Sequence, residues 1–347
     1  MNINNLIRPT IKALKPYSSA RDEFQGASGN MTFLDANENP FENGVNRYPD
    51  PQQGKLKSIL SQIKGVSTKN MLLGNGSDEV LDLIFRAFCE PNQDNIITLP
   101  PTYGMYSVLA NINAIAIKEV PLSSGFQPQV APILNTQDTN SKLLFVCSPN
   151  NPTANSFDAD KIEKLISQFN GIVVIDEAYI DFSNETSWIS RLDKFPNLIV
   201  SQTLSKAYGM AGIRLGVCYA SIEIISVLNS IKPPYNVNEL TQQKAIEHLS
   251  VNGLAANQIK NILSERTNLV SELESINFVS KIYPSDANFV LVKVDDATKR
   301  YNQLIKRGIV IRNRTTQFGC ENCLRLTIGT SEENEKLLKE LSIISKY

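Results

Sequence analysis

Four short segments carry side chains able to do chemistry together: Gly74-Asn75-Gly76-Ser77-Asp78-Glu79, Ser148-Pro149-Asn150-Asn151-Pro152-Thr153, Asp176-Glu177-Ala178-Tyr179, and Ser205-Lys206-Ala207-Tyr208-Gly209-Met210-Ala211-Gly212-Ile213-Arg214. The first is a Gly-rich turn running into a helical pattern, where free backbone N–H groups and the helix dipole suit a phosphate. Alone it reads first as an ordinary N-cap at Ser77 or Asp78. Asp176 ends an apolar run, so its carboxylate arrives from a low-dielectric background and needs a cationic partner to stay ionised. A protonated pyridine nitrogen is one such partner; a magnesium ion on an Asp176-Glu177 pair is another. The magnesium reading requires a G-x-x-x-x-G-K-[ST] loop, which the chain lacks. Lys206 comes after Thr203 and Ser205, with Arg214 eight residues on. A lysine whose proton affinity is lowered by burial and a nearby cation can form a Schiff base with a carbonyl. A solvated surface lysine is the alternative.

These segments need a frame that brings them to one place. Apolar runs at Asn95 to Leu99, Lys142 to Cys147, Gly171 to Ile175 and Leu198 to Ser201 read as buried strands. Between them lie helical stripes: Val80, Leu81, Ile84, Phe85 and Phe88, then Ile162, Leu165, Ile166 and Phe169. Strands alternating with helices predict an α/β fold with a mostly parallel central sheet covered on both faces. Three of the four segments then fall at C-terminal strand ends, the edge where such sheets bind ligands. Lys232-Pro233-Pro234 interrupts the chain, and a helical stretch from Glu239 to Ile276 comes next, with strand-like pieces at Phe289 to Val294 and Leu324 to Ile328. This predicts a smaller α+β domain over 236–347 beside a large domain over 31–235. Residues 1–30 show little periodicity and read as an arm packing on the smaller domain.

Composition narrows the partners. A chain of 347 residues with net charge near −1 and no basic run gives no footing to nucleic acid or an anionic membrane surface. No apolar stretch reaches the length of a membrane span, and Met1 to Thr10 is polar without an export pattern. Five scattered cysteines, an odd number, read as reduced thiols of a cytoplasmic protein. Cys320-x-x-Cys323 offers two thiols, and the one histidine, His248, is remote in sequence, so no metal is expected. Small metabolites are the expected partners.

Taken together, Asn-Pro-Thr, Asp-x-x-Tyr and Ser-Lys-x-x-x-x-x-Gly-x-Arg, in this order on strand ends, resemble the fold-type I aminotransferases of classes I and II over nearly the whole chain. That resemblance implies pyridoxal 5'-phosphate as cofactor and an aspartate aminotransferase-like fold. It implies Lys206 as the lysine that holds the cofactor and moves the proton, and Asp176 as partner of the pyridinium nitrogen. Asn151 and Tyr179 would hydrogen-bond the phenolic oxygen, and Tyr103 would stack on the ring. Ser77, Asp78, Thr203, Ser205 and Arg214 would cradle the phosphate.

Within that family the chain is similar to the histidinol-phosphate aminotransferases at Lys15-Pro16-Tyr17, Asp35-Ala36-Asn37-Glu38-Asn39-Pro40, Arg47-Tyr48-Pro49-Asp50, Gly76-Ser77-Asp78-Glu79 and Leu324-Arg325-Leu326-Thr327-Ile328-Gly329. The implied reaction joins histidinol phosphate and 2-oxoglutarate to imidazole acetol phosphate and glutamate, in histidine biosynthesis. Arg325 would take the substrate anion, assisted by Arg312 and Tyr17, with Asn37 also at the substrate. A guanidinium fork fits a carboxylate or a phosphate, so one pocket serves both half-reactions. Tyr48 would reach the cofactor phosphate of a neighbouring subunit, making a homodimer with shared sites. On local sequence Tyr48 is equally a turn residue before Pro49, and Arg325, without the resemblance, reads first as a surface ion-pairing arginine. A threonine-phosphate decarboxylase, an aromatic amino acid aminotransferase and a non-catalytic regulatory module remain the rival readings. One departure stands out: the family's glycine after Asn-Pro-Thr is Ala154 here, with Asn155 next. If that position has positive φ, Ala154 is strained unless the turn shifts it onto Asn155.

Overall fold

The structure, a computed structural model, describes residues 2–15, 17 and 32–346. Its larger sheet contains β1 (Met71–Asn75), β2 (Asn95–Thr98), β3 (Ala116–Glu119), β4 (Ser141–Cys147), β5 (Ile172–Asp176), β6 (Leu198–Thr203) and β7 (Leu215–Ala220). The order is β1-β7-β6-β5-β4-β2-β3. From β3 to β6 the neighbours are parallel, whereas β7 runs antiparallel to both β6 and β1. Every residue of β2, β5, β6 and β7 is buried, as expected for strands covered on both faces.

The four strands expected from the apolar runs are present within a residue or two of the expected ends. The helix Ser77–Phe88 buries Val80, Leu81, Ile84, Phe85 and Phe88 as its stripe predicts, and Leu83 and Ala87 as well, so its buried surface is wider than one stripe. Asp78 and Glu79 sit in its first turn, where negative charge suits the dipole.

A second sheet holds β8 (Val279–Ile282), β9 (Phe289–Val294), β10 (Arg312–Asn313) and β11 (Cys323–Thr327), all antiparallel, in the order β10-β11-β9-β8. Alternate residues of β9 face two different interiors. Phe289 and Leu291 pack into the core they share with the larger sheet, while Val290 and Val292 pack with Leu269, Leu273 and Leu337.

Two expectations need correction. The stretch Glu239 to Ile276 is two helices, Glu239–Leu249 and Leu254–Leu273, because Gly253 takes φ +74° and turns the chain between them. Residues at the start of the chain do not lie on the smaller sheet: Ile3 is buried among the helices of the larger one, and Arg8 donates its N–H to Ala87 O at 3.0 Å and its Nη1 to Arg86 O at 3.0 Å. Met1, Pro16 and residues 18–30 of the anticipated arm lie outside the described residues.

Candidate active site

The strand register decides which side chains meet. Cys147, Asp176 and Ser201 stand side by side across the ends of β4, β5 and β6. The loop after β6 delivers Lys206, pinned by Ser205 N–H to Thr203 Oγ1 at 3.1 Å and by Gly209 N–H to Lys206 O at 3.0 Å. At the far side, β7 begins directly after Arg214, which adopts φ +56°. Between these elements lies a cleft of about 520 Å³, lined by Ser77, Asp78, Tyr103, Cys147, Asn151, Asp176, Ala178, Tyr179, Thr203, Ser205, Lys206 and Arg214.

The start of the helix Ser77–Phe88 has no side-chain cap. Its N-cap is Gly76, at φ +80° and ψ 165°, so the N-cap reading of Ser77 or Asp78 does not hold. The first-turn N–H groups of the helix thus lack a capping side chain at the cleft. Glycine is required by contact as well as by φ: a Cβ on Gly76 would lie 2.7 Å from Arg214 Nη2, and one on Gly216 would lie 2.3 Å from Ser77 N. The close approach of guanidinium, β7 and helix start depends on these two missing side chains. Arg214 Nη2 lies 3.5 Å from Asp78 Oδ2, and the Tyr103 hydroxyl donates to Asp78 Oδ1 at 3.2 Å.

Asp176 is fully enclosed. Its Oδ2 accepts from the Tyr106 hydroxyl at 2.7 Å and its Oδ1 from Ala178 N–H at 3.1 Å. Burial pushes its carboxyl above the usual carboxylate range, against the pull of these donors and of Lys206. Lys206 shifts the other way. The protein walls around it come first among the causes that lower its proton affinity, ahead of the charges of Arg325 and Arg214. Its Nζ lies 5.8 Å from the centre of the Tyr179 ring. Burial raises the phenol pKa of Tyr179 and Tyr103, so both hydroxyls are available as donors at neutral pH.

Arg325 reaches Asn151 across the two sheets, Nη1 donating to Oδ1 at 2.5 Å, with its guanidinium 5.1 Å from the centre of the Phe289 ring. Arg312 is its register partner on β10 and is exposed. The remaining anticipated residues are not brought into the cleft of their own chain. Tyr17 is 76% exposed, and Asn37 and Tyr48 line a separate groove with Arg47 and Leu240. The cause for Tyr48 is local: its ring stacks on Tyr235 at 4.4 Å, and its N–H donates to Glu38 Oε1 at 2.7 Å. Asn37 adopts φ +54°, which turns the chain within that same groove. Ala154 does take the positive φ, +69°, fully buried. The turn has not shifted onto Asn155.

Sequence reading missed Cys147, Ala178 and Tyr106. Cys147 was recoverable from strand pairing, since it is the residue opposite Asp176. Tyr106 had a weaker signal: it stands three residues after Tyr103, and on one face of a helix start such a pair points the same way.

The arrangement joins a lysine of lowered proton affinity, a buried carboxylate, two phenols and an anion cradle, a combination suited to holding a phosphorylated, cation-bearing ring next to a proton-moving amine. Comparisons with known proteins agree. Residues 25–341 match the family model described as aminotransferase class I and II. The histidinol-phosphate aminotransferase of Flavobacterium johnsoniae is 62% identical over 345 residues, 99% of each chain. Among solved structures, the histidinol-phosphate aminotransferase of Clostridium acetobutylicum superposes with a TM-score of 0.80 at 23% identity, over 87% of this chain and 91% of that one. That of Sinorhizobium meliloti, in complex with pyridoxal-5'-phosphate, gives 0.77 at 21% identity, over 86% and 83%. At such identities the structural likeness speaks for the fold, an aspartate aminotransferase-like one. On the family match and the full-length similarity, the chain belongs to the class I and II aminotransferases.

Proposed function

We propose that this aminotransferase uses pyridoxal 5'-phosphate to move the amino group of histidinol phosphate to 2-oxoglutarate, giving imidazole acetol phosphate and glutamate. The observation that carries the chemistry is the meeting of Lys206, Asp176 and Arg214 in one cleft. The substrate assignment rests on full-length relatives named as histidinol-phosphate aminotransferases, at 62% identity.

The residues fit the cofactor. Asp176 is a buried carboxylate served by a hydroxyl and an N–H and, among the described residues, by no cation in direct contact, the surroundings in which a pyridinium nitrogen stabilises an ionised acid. The missing Cβ of Gly76 lets the Arg214 guanidinium lie beside the uncapped start of the helix, a pairing of cation and free N–H groups that suits a phosphate. When bound, the cofactor supplies an electron-accepting ring that stabilises the carbanion left as the substrate Cα loses its proton.

The chain's own residues do the rest. Asp176 would hold the ring nitrogen protonated, Asn151 and Tyr179 would hold the phenolic oxygen, and Tyr103 would cover a ring face. Ser77 and Asp78, through backbone N–H groups, and Thr203, Ser205 and Arg214, through side chains, would hold the phosphate. Lys206 Nζ takes the proton from the substrate Cα: its lowered proton affinity keeps a larger share neutral at working pH than an ordinary lysine has. Arg325 receives the substrate anion, with Arg312 beside it. Tyr48, half-exposed and outside its own cleft, serves the cofactor phosphate of a second subunit in a homodimer, and Asn37 and Tyr17 complete the substrate site. Residues 31–235 form the cofactor-holding unit and 236–347 the smaller one. The setting is cytoplasmic histidine biosynthesis.

The test mixes purified protein, cofactor, histidinol phosphate and 2-oxoglutarate and measures glutamate. Glutamate formation is the expected outcome; its absence, with carbon dioxide released from threonine phosphate, overturns the reading.

A further inference from the structure

Lys64 closes the helix Gly54–Lys64 and does not line the cleft; a cation at that helix end complements the dipole. Its surroundings give it a second part. Its Nζ donates to Asp181 Oδ1 at 2.9 Å, with 12% and 21% of the two side chains exposed, and lies 5.4 Å from the centre of the Tyr208 ring. The Tyr208 hydroxyl is its second polar partner. Burial works against the ammonium, yet Asp181 and Tyr208 together outweigh it, so the group keeps its charge.

The two partners belong to two different loops of the site. Asp181 stands two residues after Tyr179, and Tyr208 two residues after Lys206. Neither stretch is slack. Ile180 N–H donates to Glu177 O at 3.2 Å and Phe182 N–H to Tyr179 O at 3.0 Å, which winds the first into a short 3-10 turn. Gly209 N–H on Lys206 O and Met210 N–H on Leu204 O, both at 3.0 Å, close the second. The Tyr208 ring is buried in the core that also holds Phe182 and Tyr219. A shift of Asp181 or Tyr208 is therefore passed on to Tyr179 or Lys206, which meet in the cleft with Nζ 5.8 Å from the ring centre. An exposed ion pair would hold such loops weakly; this one is mostly enclosed.

Resting on the proton-moving role proposed for Lys206, we infer that Lys64 is a positioning residue for that amine: by tying Asp181 to Tyr208 it fixes the spacing of the two loops and keeps Lys206 Nζ enclosed beside Tyr179.

The charged and titratable groups around Lys206 are Arg325, Arg214, Asp176, Asp78 and the phenol of Tyr179, and enclosure by protein outranks the four charges in setting its proton affinity. Loosened loops admit water and weaken that foremost influence. The proton affinity of Lys206 then rises toward that of an ordinary lysine.

The experiment compares wild type with Lys64→Met, Lys64→Arg and Tyr208→Phe. In full-length protein freed of cofactor, acetylation of Lys206 by acetic anhydride is followed against pH by peptide mapping. For Lys64→Met the midpoint rises by about half a pH unit or more. Lys64→Arg keeps a cation in place and recovers part of the shift, while Tyr208→Phe, which keeps the ring, moves the midpoint the same way by less. In the holoenzyme, Lys64→Met lowers kcat about 10-fold or more, the scale of a misplaced catalytic group, and moves KM for either amino donor less than about 3-fold. A lysine that only stabilises the fold lowers the unfolding temperature and leaves both the midpoint and the kcat-against-KM split unchanged; that result overturns the inference. Should Lys64→Met not fold, an unmoved midpoint in Tyr208→Phe overturns it equally. If wild-type holoenzyme does not transaminate, the reading of the cleft fails, and the acetylation midpoints in cofactor-free protein still decide the part played by Lys64.

Discussion

The Tyr106 hydroxyl donates to Asp176 Oδ2 at 2.7 Å in a pocket from which solvent is excluded on both sides of the bond. Tyr106 is held there by stacking on Phe145, ring centres 4.7 Å apart, and by the edge of Tyr103 at 5.6 Å. It is the foremost donor favouring the ionised form of Asp176 against burial.

Removing that donor by Tyr106→Phe should therefore weaken the carboxylate's hold on a protonated ring nitrogen. We expect cofactor affinity to fall by roughly 10-fold or more, since hydrogen bonds to charged groups contribute about 1.5–3 kcal/mol. Equilibrium dialysis of cofactor from the apoprotein measures it, and unchanged affinity would contradict the assignment.

Lys206→Ala should leave the fold and the cleft in place and lower turnover by roughly 10³-fold or more, the scale of lost proton transfer and nucleophilic catalysis. Borohydride treatment of wild-type holoprotein and subsequent peptide mapping should fix the cofactor on Lys206. A tag on any other lysine defeats the scheme.

Lys57 gives a prediction about pH. Burial first, and then the charge of Lys232, bring its pKa from 10.5 down to about 8, with Asp50 opposing. Because the folded value is depressed, the unfolded chain binds more protons between about 8 and 10.5, so stability rises with pH across that window and the penalty is fully present below it. The upper bound is about 3 kcal/mol at 1.36 kcal/mol per unit. Lys57→Met should raise stability by about 1–3 kcal/mol at pH 7, and the gain should shrink as the pH approaches about 10. Thermal unfolding at about pH 7 and about pH 9.5, on either side of the folded value, checks it, and a gain that grows with pH would reverse the sign.

Ala154 tests how far φ +69° is offset by its neighbours. Left-handed backbone costs an L-residue about 1–2 kcal/mol, but glycine gives up about 0.8 kcal/mol of buried methyl and about 0.4–1 kcal/mol of unfolded-chain entropy. The terms nearly cancel, so Ala154→Gly should stay within about 1 kcal/mol of wild type. Ala154→Val, branched and buried at positive φ, should lose about 2 kcal/mol or more. Urea unfolding separates the two outcomes.

Much of this site was legible because chain order and strand ends are both visible in a sequence: Asp176 and Lys206 come after apolar runs, and a parallel sheet gathers the residues beyond its strand ends at one edge. Strand direction was less visible. Nothing in Leu215–Ala220 announces that β7 runs backwards between β1 and β6, yet that reversal sets Gly216 against Gly76 and Ser77 at the start of the helix Ser77–Phe88. Tyr106 reads in sequence as one more core aromatic, since its partner is 70 residues away. The helical stretch predicted for Glu239 to Ile276 is divided at Gly253, where one left-handed residue outweighs an otherwise helical composition.

Arg325 Nη1 on Asn151, Asp286 N–H on Ala154 O at 2.8 Å, and Ser156 N–H on Asp286 Oδ2 at 2.8 Å all tie the four-stranded sheet to one stretch of chain, residues 151–156. That stretch works as a bearing. Any rocking of the four-stranded sheet must either carry Asn151 along or break these bonds in turn, so a displacement of Arg325 is passed directly to the wall of the cleft.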